Sequence, residues 1–130
     1  MLDANALSDL IRNPDGKVKR RIETVGVENI CTSIVAAGEL RFGAAKRRSQ
    51  MLTTKVEDLL MAIPVINLSI PVDRIYGEVR ASLERDGKPI GANDLLIAAH
   101  ALALGCIVVT DNEREFSRVP GLTIENWVRT

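Results

Sequence analysis

Asp3, Glu39, Asp94 and Asp111 are the residues of this chain best suited to chemistry, because each carboxylate sits in or beside an apolar segment. Asp3 stands in LDAN ahead of an amphipathic stretch, Glu39 inside SIVAAGELRFG, Asp94 at the head of NDLLIAAHALALG, and Asp111 directly after CIVVT. Acids are almost never fully buried unless something neutralises them. Four of them beside core-forming segments point to a fold that gathers them around a shared counter-charge. A hard divalent cation, Mg²⁺ or Mn²⁺, takes oxygen ligands of this kind.

Each acid also has a plainer reading. Asp94, or Asn93 beside it, could cap a helix; Asp111 in TDN could be turn chemistry; Asp3 could be solvated. Glu39 resists such treatment, since it lies one turn from Val35 and one from Phe42, where Ala or Leu would fit better. Taken singly, the acids favour structural roles; four in one setting favour a site. Ser33 and Thr110 place hydroxyls at strand ends, where they could support the pocket or satisfy backbone groups. Glu113 and Glu115 compete with Asp111 as ligands, although acids in an EREF turn mostly face solvent. His100, the only histidine, falls mid-helix among Ala and Leu and reads as packed rather than as a general base. Phe116 and Trp127 read as anchors for the C-terminal part. No Gly-rich phosphate loop, zinc spacing or nucleophile elbow is present.

The elements that must position these residues alternate between short β-like runs and helical patterns. Strands are predicted at Met1 to Ala4, Asn29 to Thr32, Val65 to Leu68, Ile107 to Thr110 and Leu122 to Glu125. Helices are predicted at Asn5 to Arg12, Lys17 to Val25, Ser33 to Arg48 (apolar face Val35, Leu40, Phe42), Met51 to Ala62, Pro71 to Arg85 and Ala92 to Leu104. Pro71 is placed at the first helical position and Gly105 just past a helix end. Strands separated by helices imply an α/β fold with a parallel sheet covered on both faces. In such sheets ligands bind beyond the carboxyl ends of the strands, where Asp3 and Asp111 should emerge.

The chain has 130 residues, which suits one domain spanning residues 1–130. Its 46% hydrophobic and 26% charged content is ordinary for a soluble protein. The longest apolar stretch, LLIAAHALALGCIVVT, is interrupted by His and Gly and makes a poor membrane span. No secretory signal pattern opens the chain, and Cys31 and Cys106, both in apolar context, read as free thiols of a cytoplasmic protein. Net charge is zero, so no global nucleic-acid footprint exists. Up to Arg48, however, nine basic residues face six acidic ones, and the surplus clusters in KVKRR (Lys17 to Arg21) and KRR (Lys46 to Arg48). Such runs are usually solvated helix faces, yet they can also track a phosphate backbone.

Four stretches together resemble the PIN-domain ribonucleases of the VapC toxin type: LDAN, TSIVAAGELRFGAAK (Thr32 to Lys46), GKPIGANDLLIAAHALALG (Gly87 to Gly105) and VVTDNEREFSRVPGL (Val108 to Leu122). They span the whole length in the family's order. The resemblance implies a three-layer α/β/α PIN-like domain with a central parallel β-sheet and Mg²⁺ or Mn²⁺ at its carboxyl edge. It also implies Asp3, Glu39 and Asp94 as metal-binding acids, Asp111 as the fourth, and Asn5 and Ser33 as polar supports. Many relatives carry Thr where Ala4 stands. Some carry Asn at the position of Asp111, which leaves open whether Asp111 ligates directly or acts electrostatically. The chain begins two residues before Asp3, a short lead for a central strand, so a start truncated relative to relatives is expected.

The function so implied is metal-dependent endoribonuclease activity on structured RNA, tRNA included, held in check by a cognate VapB-type antitoxin; relatives also commonly form homodimers. A shallow acid-floored groove with a basic rim (Arg12, Arg41, Lys46, Arg47) would suit single-stranded or looped RNA. An apolar stripe (Leu7, Leu10, Ile11, Met51, Leu52, Leu59, Leu60) could take the antitoxin, though stripes of this spacing are more often core. The rivals are weaker. A small haloacid-dehalogenase-like phosphatase needs Asp where Asn5 stands, and a receiver-type phospho-acceptor needs an acid pair near the first strand. A non-catalytic PIN-like RNA- or protein-binding module has no use for four acids.

Overall fold

The computed structural model describes residues 1–129. Helices α1 (Ala4–Arg12) and α2 (Lys17–Val25), with a 3-10 turn at Val27–Asn29, lead to strand β1 (Thr32–Ser33). Helices α3 (Ile34–Arg47) and α4 (Gln50–Ala62) precede β2 (Val65–Ile66); α5 (Val72–Arg85) and α6 (Ala92–Leu104) precede β3 (Val108–Val109). A single-turn α7 (Glu113–Phe116) leads to β4 (Ile124–Glu125).

The sheet is parallel throughout, and its centre is one residue. β1 pairs with β2 and β3 with β4, and Leu2 bridges both halves through Thr32 on one side and Val109 on the other. The Leu2 N–H donates to the Cys31 carbonyl at 2.9 Å and the Asp3 N–H to the Val109 carbonyl at 3.0 Å. Reading across gives β2, β1, Leu2, β3, β4, so strand order reverses on either side of Leu2. A ligand crevice belongs at that switch point, beyond the strands' carboxyl ends.

Right-handed crossovers place the helices that follow Leu2 and β1 on one face, and those that follow β2 and β3 on the other. Packing agrees: α1, α2, α3 and α4 contact one another, α5 and α7 pack on α6, and α3 meets α6 between the groups. The core holds Leu2, Leu7, Val18, Val56, Ile97, Val108 and Phe116, all essentially without exposure, with Trp127 buried beside them.

Every predicted strand is shorter in the structure. Asp3 caps α1 with its carboxylate, its Oδ1 accepting from the Ala6 N–H at 2.9 Å, so the helix starts at Ala4 and cuts the first strand to Leu2. The run expected to begin a strand at Asn29 is the end of the 3-10 turn. Pro71 stands just before α5 rather than inside it. Phe42, assigned to the buried face of α3, is 66% exposed, whereas Leu40 on the same helix is buried. Gly105 ends α6 at φ 68°, a left-handed conformation that glycine adopts without strain.

Candidate functional site

Asp3 leaves the carboxyl end of the central strand almost wholly buried, at 2% exposure. Burial raises its pKa, the Thr110 hydroxyl and the Ala6 N–H pull it back down, and the nearby charge of Glu39 pushes it up again. Thr110 sits just after β3 and also accepts from the Asn112 N–H at 2.8 Å, so its hydroxyl is fixed for this role.

Glu39 projects from the middle of α3. Its Oε1 is buried and has no hydrogen-bond partner. Such an oxygen costs free energy unless something neutralises it. Asp94 opens the third acid position, in the first turn of α6. Its pKa is raised to about 6, chiefly by burial, with a hydrogen bond and charge from Glu115 and the charge of Asp3 adding to the rise and an Asn112 hydrogen bond opposing it. Asn112 Nδ2 bridges Asp94 Oδ2 at 2.9 Å and Glu115 Oε2 at 2.6 Å, and the Gly91 N–H holds Glu115 Oε1 at 3.1 Å. Asp94 and Glu115 are thus linked through Asn112, with the Asp94 pKa raised and the Glu115 pKa lowered.

Asp111 takes a different course from the one expected. Its carboxylate accepts from Asn126 Nδ2 at 2.9 Å and pairs with the Arg129 guanidinium. These bonds lower its pKa, and no other acid contributes to the shift. The structure thus brings together Asp3, Glu39 and Asp94, turns Asp111 outward, and sets Asn112 and Glu115 of the next turn against Asp94. Glu115 was legible only as a competitor in EREF; its inward turn depends on how α7 packs on α6.

Of the polar supports, Asn5 lines the cleft beside Glu39, and Thr110 bonds Asp3 as described. Ser33 caps α3, accepting from the Val35 N–H at 3.1 Å, and its Oγ lies 2.9 Å from His100 Nδ1. The hydroxyl proton is free to go to Nδ1, which leaves the ring proton on Nε2. That nitrogen is buried without a well-aligned partner, and the nearby Asn67 carbonyl only partly offsets the burial that lowers the ring's pKa. His100 thus ties the helix of Asp94 to the cap of the helix of Glu39. His100→Leu should cost about 1–3 kcal/mol of stability, and His100→Asn, whose amide reaches the Nδ1 position, should cost less. Equal losses in urea melts of the two variants would show that packing, not this bond, is what His100 supplies.

A cleft of ≈ 200 Å³ runs from Glu39 between α1, α3 and α4, with Ile11, Leu40, Leu52 and Val56 in its lining and Arg12 and Arg47 among its polar residues. The other two rim candidates lie elsewhere: Arg41 pairs with Glu57, and Lys46 rests over the Phe42 ring at 6.0 Å. In the predicted apolar stripe, Leu7, Leu10 and Leu60 are core, Ile11, Leu52 and Leu59 are partly covered, and Met51 is 69% exposed.

The donor set suits a hard cation: three gathered acids, two with raised pKa values, and an orphaned carboxylate oxygen. Among the described residues, no three His, Cys, Asp or Glu side chains close on one ion position by themselves. An ion here would keep several waters, as Mg²⁺ commonly does. A pH dependence follows. Asp94 titrates at about 6 when folded against an ordinary 3.8, so between these values the folded state binds more protons and its metal-free stability falls as pH rises. His100, with its lowered pKa, acts oppositely below its ordinary 6.5. The difference between wild type and Asp94→Asn isolates the first effect. In thermal melts wild type should lose stability relative to the variant from about pH 4 to above pH 6 and then run parallel. A gap that stayed constant across that range would remove the raised carboxyl.

Residues 1–122 match the family model described as PIN domain. The chain is 36% identical over 129 residues to the ribonuclease VapC2 of Rickettsia felis, covering 98% of this chain and 96% of that one. It is 38% identical over 130 residues to the tRNA(fMet)-specific endonuclease VapC of Shigella flexneri, with 98% and 96% covered. Among solved structures it is similar to the crystal structure of VapBC2 from Rickettsia felis bound to a DNA fragment from their promoter, with a TM-score of 0.91, 35% identity, and 98% and 97% of the two chains covered. The VapBC-1 structure from nontypeable Haemophilus influenzae is similar with a TM-score of 0.86 and 30% identity, over 98% of this chain and 96% of that one.

Proposed function

The chain belongs to the PIN-domain family, and we propose that it is a VapC-type toxin: an Mg²⁺- or Mn²⁺-dependent endoribonuclease that hydrolyses phosphodiester bonds of structured RNA, tRNA foremost. The observation that carries this reading is the meeting of Asp3, Glu39 and Asp94 at the switch point of the sheet, with Glu39 Oε1 buried and unbonded. The ribonuclease and tRNA endonuclease relatives support it. A non-catalytic module would have no need of an orphaned buried carboxylate.

Asp3, Glu39 and Asp94 would hold the ion, with Thr110 and Ala6 orienting Asp3 and Asn112 orienting Asp94. The bound ion would supply charge neutralisation at the phosphate and a more acidic water. Glu115, set beside Asp94 through Asn112 and left off the ion, would be placed to accept the proton of the attacking water. Water adds to phosphorus and gives up a proton, one P–O ester bond breaks, and the leaving oxygen takes a proton from solvent to depart as a hydroxyl. Asp111, held by Arg129, would act on the field of the site without touching the ion.

We also propose a VapB-type antitoxin partner, in keeping with the toxin–antitoxin complexes among the structural relatives. The cleft offers an apolar floor for its segment and Glu39 for a basic side chain. A homodimer and a cytoplasmic location complete the reading; no helix among the described residues is long and apolar enough to cross a membrane, and both cysteines are free thiols. Purified protein incubated with total tRNA and a structured-RNA panel in Mg²⁺ or Mn²⁺ should cut, and EDTA should stop it. Cutting that continued in EDTA would defeat the metal-dependent mechanism.

A further inference from the structure

Helix α2 carries two faces. Val18 and Ile22 are buried, whereas Lys17, Arg20, Arg21 and Thr24 fall at i, i+3, i+4 and i+7 on another side. With Trp127 these four line a shallow groove of ≈ 350 Å³. The Arg21 guanidinium lies 5.6 Å from the Trp127 ring centre and 3.3 Å from Glu125, which fixes its position. Lys17 and Arg20 have no carboxylate partner among the described residues. A run of contacts links the groove to the acids: Lys17 Nζ donates to the Arg129 carbonyl at 3.1 Å, Arg129 pairs with Asp111, and Asp111 follows the Thr110 that bonds Asp3. Arg12 and Arg47 line the cleft on the Glu39 side. Basic groups therefore lie in the cleft beside Glu39 and in a second groove linked to the acids through Arg129, in a chain whose net charge is zero.

We propose that the α2 groove binds the phosphate backbone of the RNA beyond the cleaved bond, through Lys17, Arg20 and Arg21. The proposal rests on the ribonuclease reading and adds to it a second contact with the substrate. A concave polar surface on which Lys17 and Arg20 have no carboxylate partner among the described residues matches a polyanion, since each neutralised phosphate releases counterions. Base identity would go unread there, so the groove would favour long or folded RNA over short oligomers without setting sequence.

The test is the double substitution Lys17→Glu, Arg20→Glu, with Arg74→Glu, Arg85→Glu on exposed positions of α5 as a control for equal net charge. In an Asp94→Asn background without metal, binding of a labelled tRNA is followed by anisotropy across salt. The α2 pair should weaken binding about tenfold or more and make the log–log salt slope shallower by about 1–2, while the α5 pair does much less. In the active background the α2 pair should raise KM for tRNA and leave kcat unchanged. Active wild type with the same KM and salt slope in the α2 variant would overturn the groove and leave the nuclease standing. α2-dependent binding by a protein that cuts no RNA would keep the groove and remove the nuclease. Unchanged RNA binding with weakened capture of an acidic antitoxin peptide would overturn the proposal in favour of a protein ligand.

Discussion

Asp94→Asn is expected to lower RNA cleavage by at least about 10³-fold, the factor that corresponds to several kcal/mol of lost stabilisation at a metal-assisted site. The substitution is nearly isosteric, and the bond from Asn112 Nδ2 can be kept by the new amide oxygen. What disappears is the charge. Asp94 is half-buried, and burial, with Glu115 and Asp3 adding to it, raises its pKa to about 6, so neutralising it should not weaken the metal-free fold. Activity and stability should therefore separate: cleavage collapses while the melting temperature at neutral pH holds or rises. Calorimetric titration with Mn²⁺ should show weaker binding by the variant in the same samples. A variant that cut within tenfold of wild type would place the chemistry elsewhere, with Glu115 the next residue to change.

Separation of this kind also explains the arrangement. Burial raises the pKa values of Asp3 and Asp94, and repulsion from neighbouring acids at the same sheet edge adds to both rises. Thr110, Asn112 and the Ala6 and Gly91 N–H groups offset part of that cost with fixed dipoles. The remainder is left for a cation. Asp111 escapes it by bonding Arg129 and Asn126, and its pKa falls instead.

Much of this was legible in the chain. The alternation of apolar runs and helical patterns is enough for a parallel α/β sheet, and Glu39 is conspicuous because an acid among Val35, Leu40 and Ala36 has a cost. Gly105 marks the end of α6. Which residue after β3 turns inward was not legible. Asp111, Asn112, Glu113 and Glu115 all carry suitable atoms, and one turn of helix packed on α6 decides among them. Strand lengths were also hidden, since Asp3 as a helix cap ends the first strand at once. Phe42 misled because a helix phase read from three residues tolerates an error of one position.

Leu2→Ala should be the most damaging change away from the site, at about 2–5 kcal/mol from a total of about 5–15. Leu2 is fully buried and joins the two halves of the sheet, with Thr32 on one side and Val109 on the other. Alanine keeps the backbone bonds but leaves a cavity beneath Asp3, in a core that cannot close over it without moving the strands. Leu104→Ala, at a residue 48% exposed near the end of α6, is the control and should cost under about 1 kcal/mol. Urea melts should show a lower midpoint at an unchanged slope. Repeating them with saturating Mn²⁺ asks whether the cavity reaches the site. If Leu2 positions Asp3, the ion binds the variant more weakly and the gap to wild type widens in Mn²⁺. An equal gap with and without the ion would mean that Leu2 supports the sheet but not the placement of Asp3, and a cost under about 1 kcal/mol would deny it even the first role.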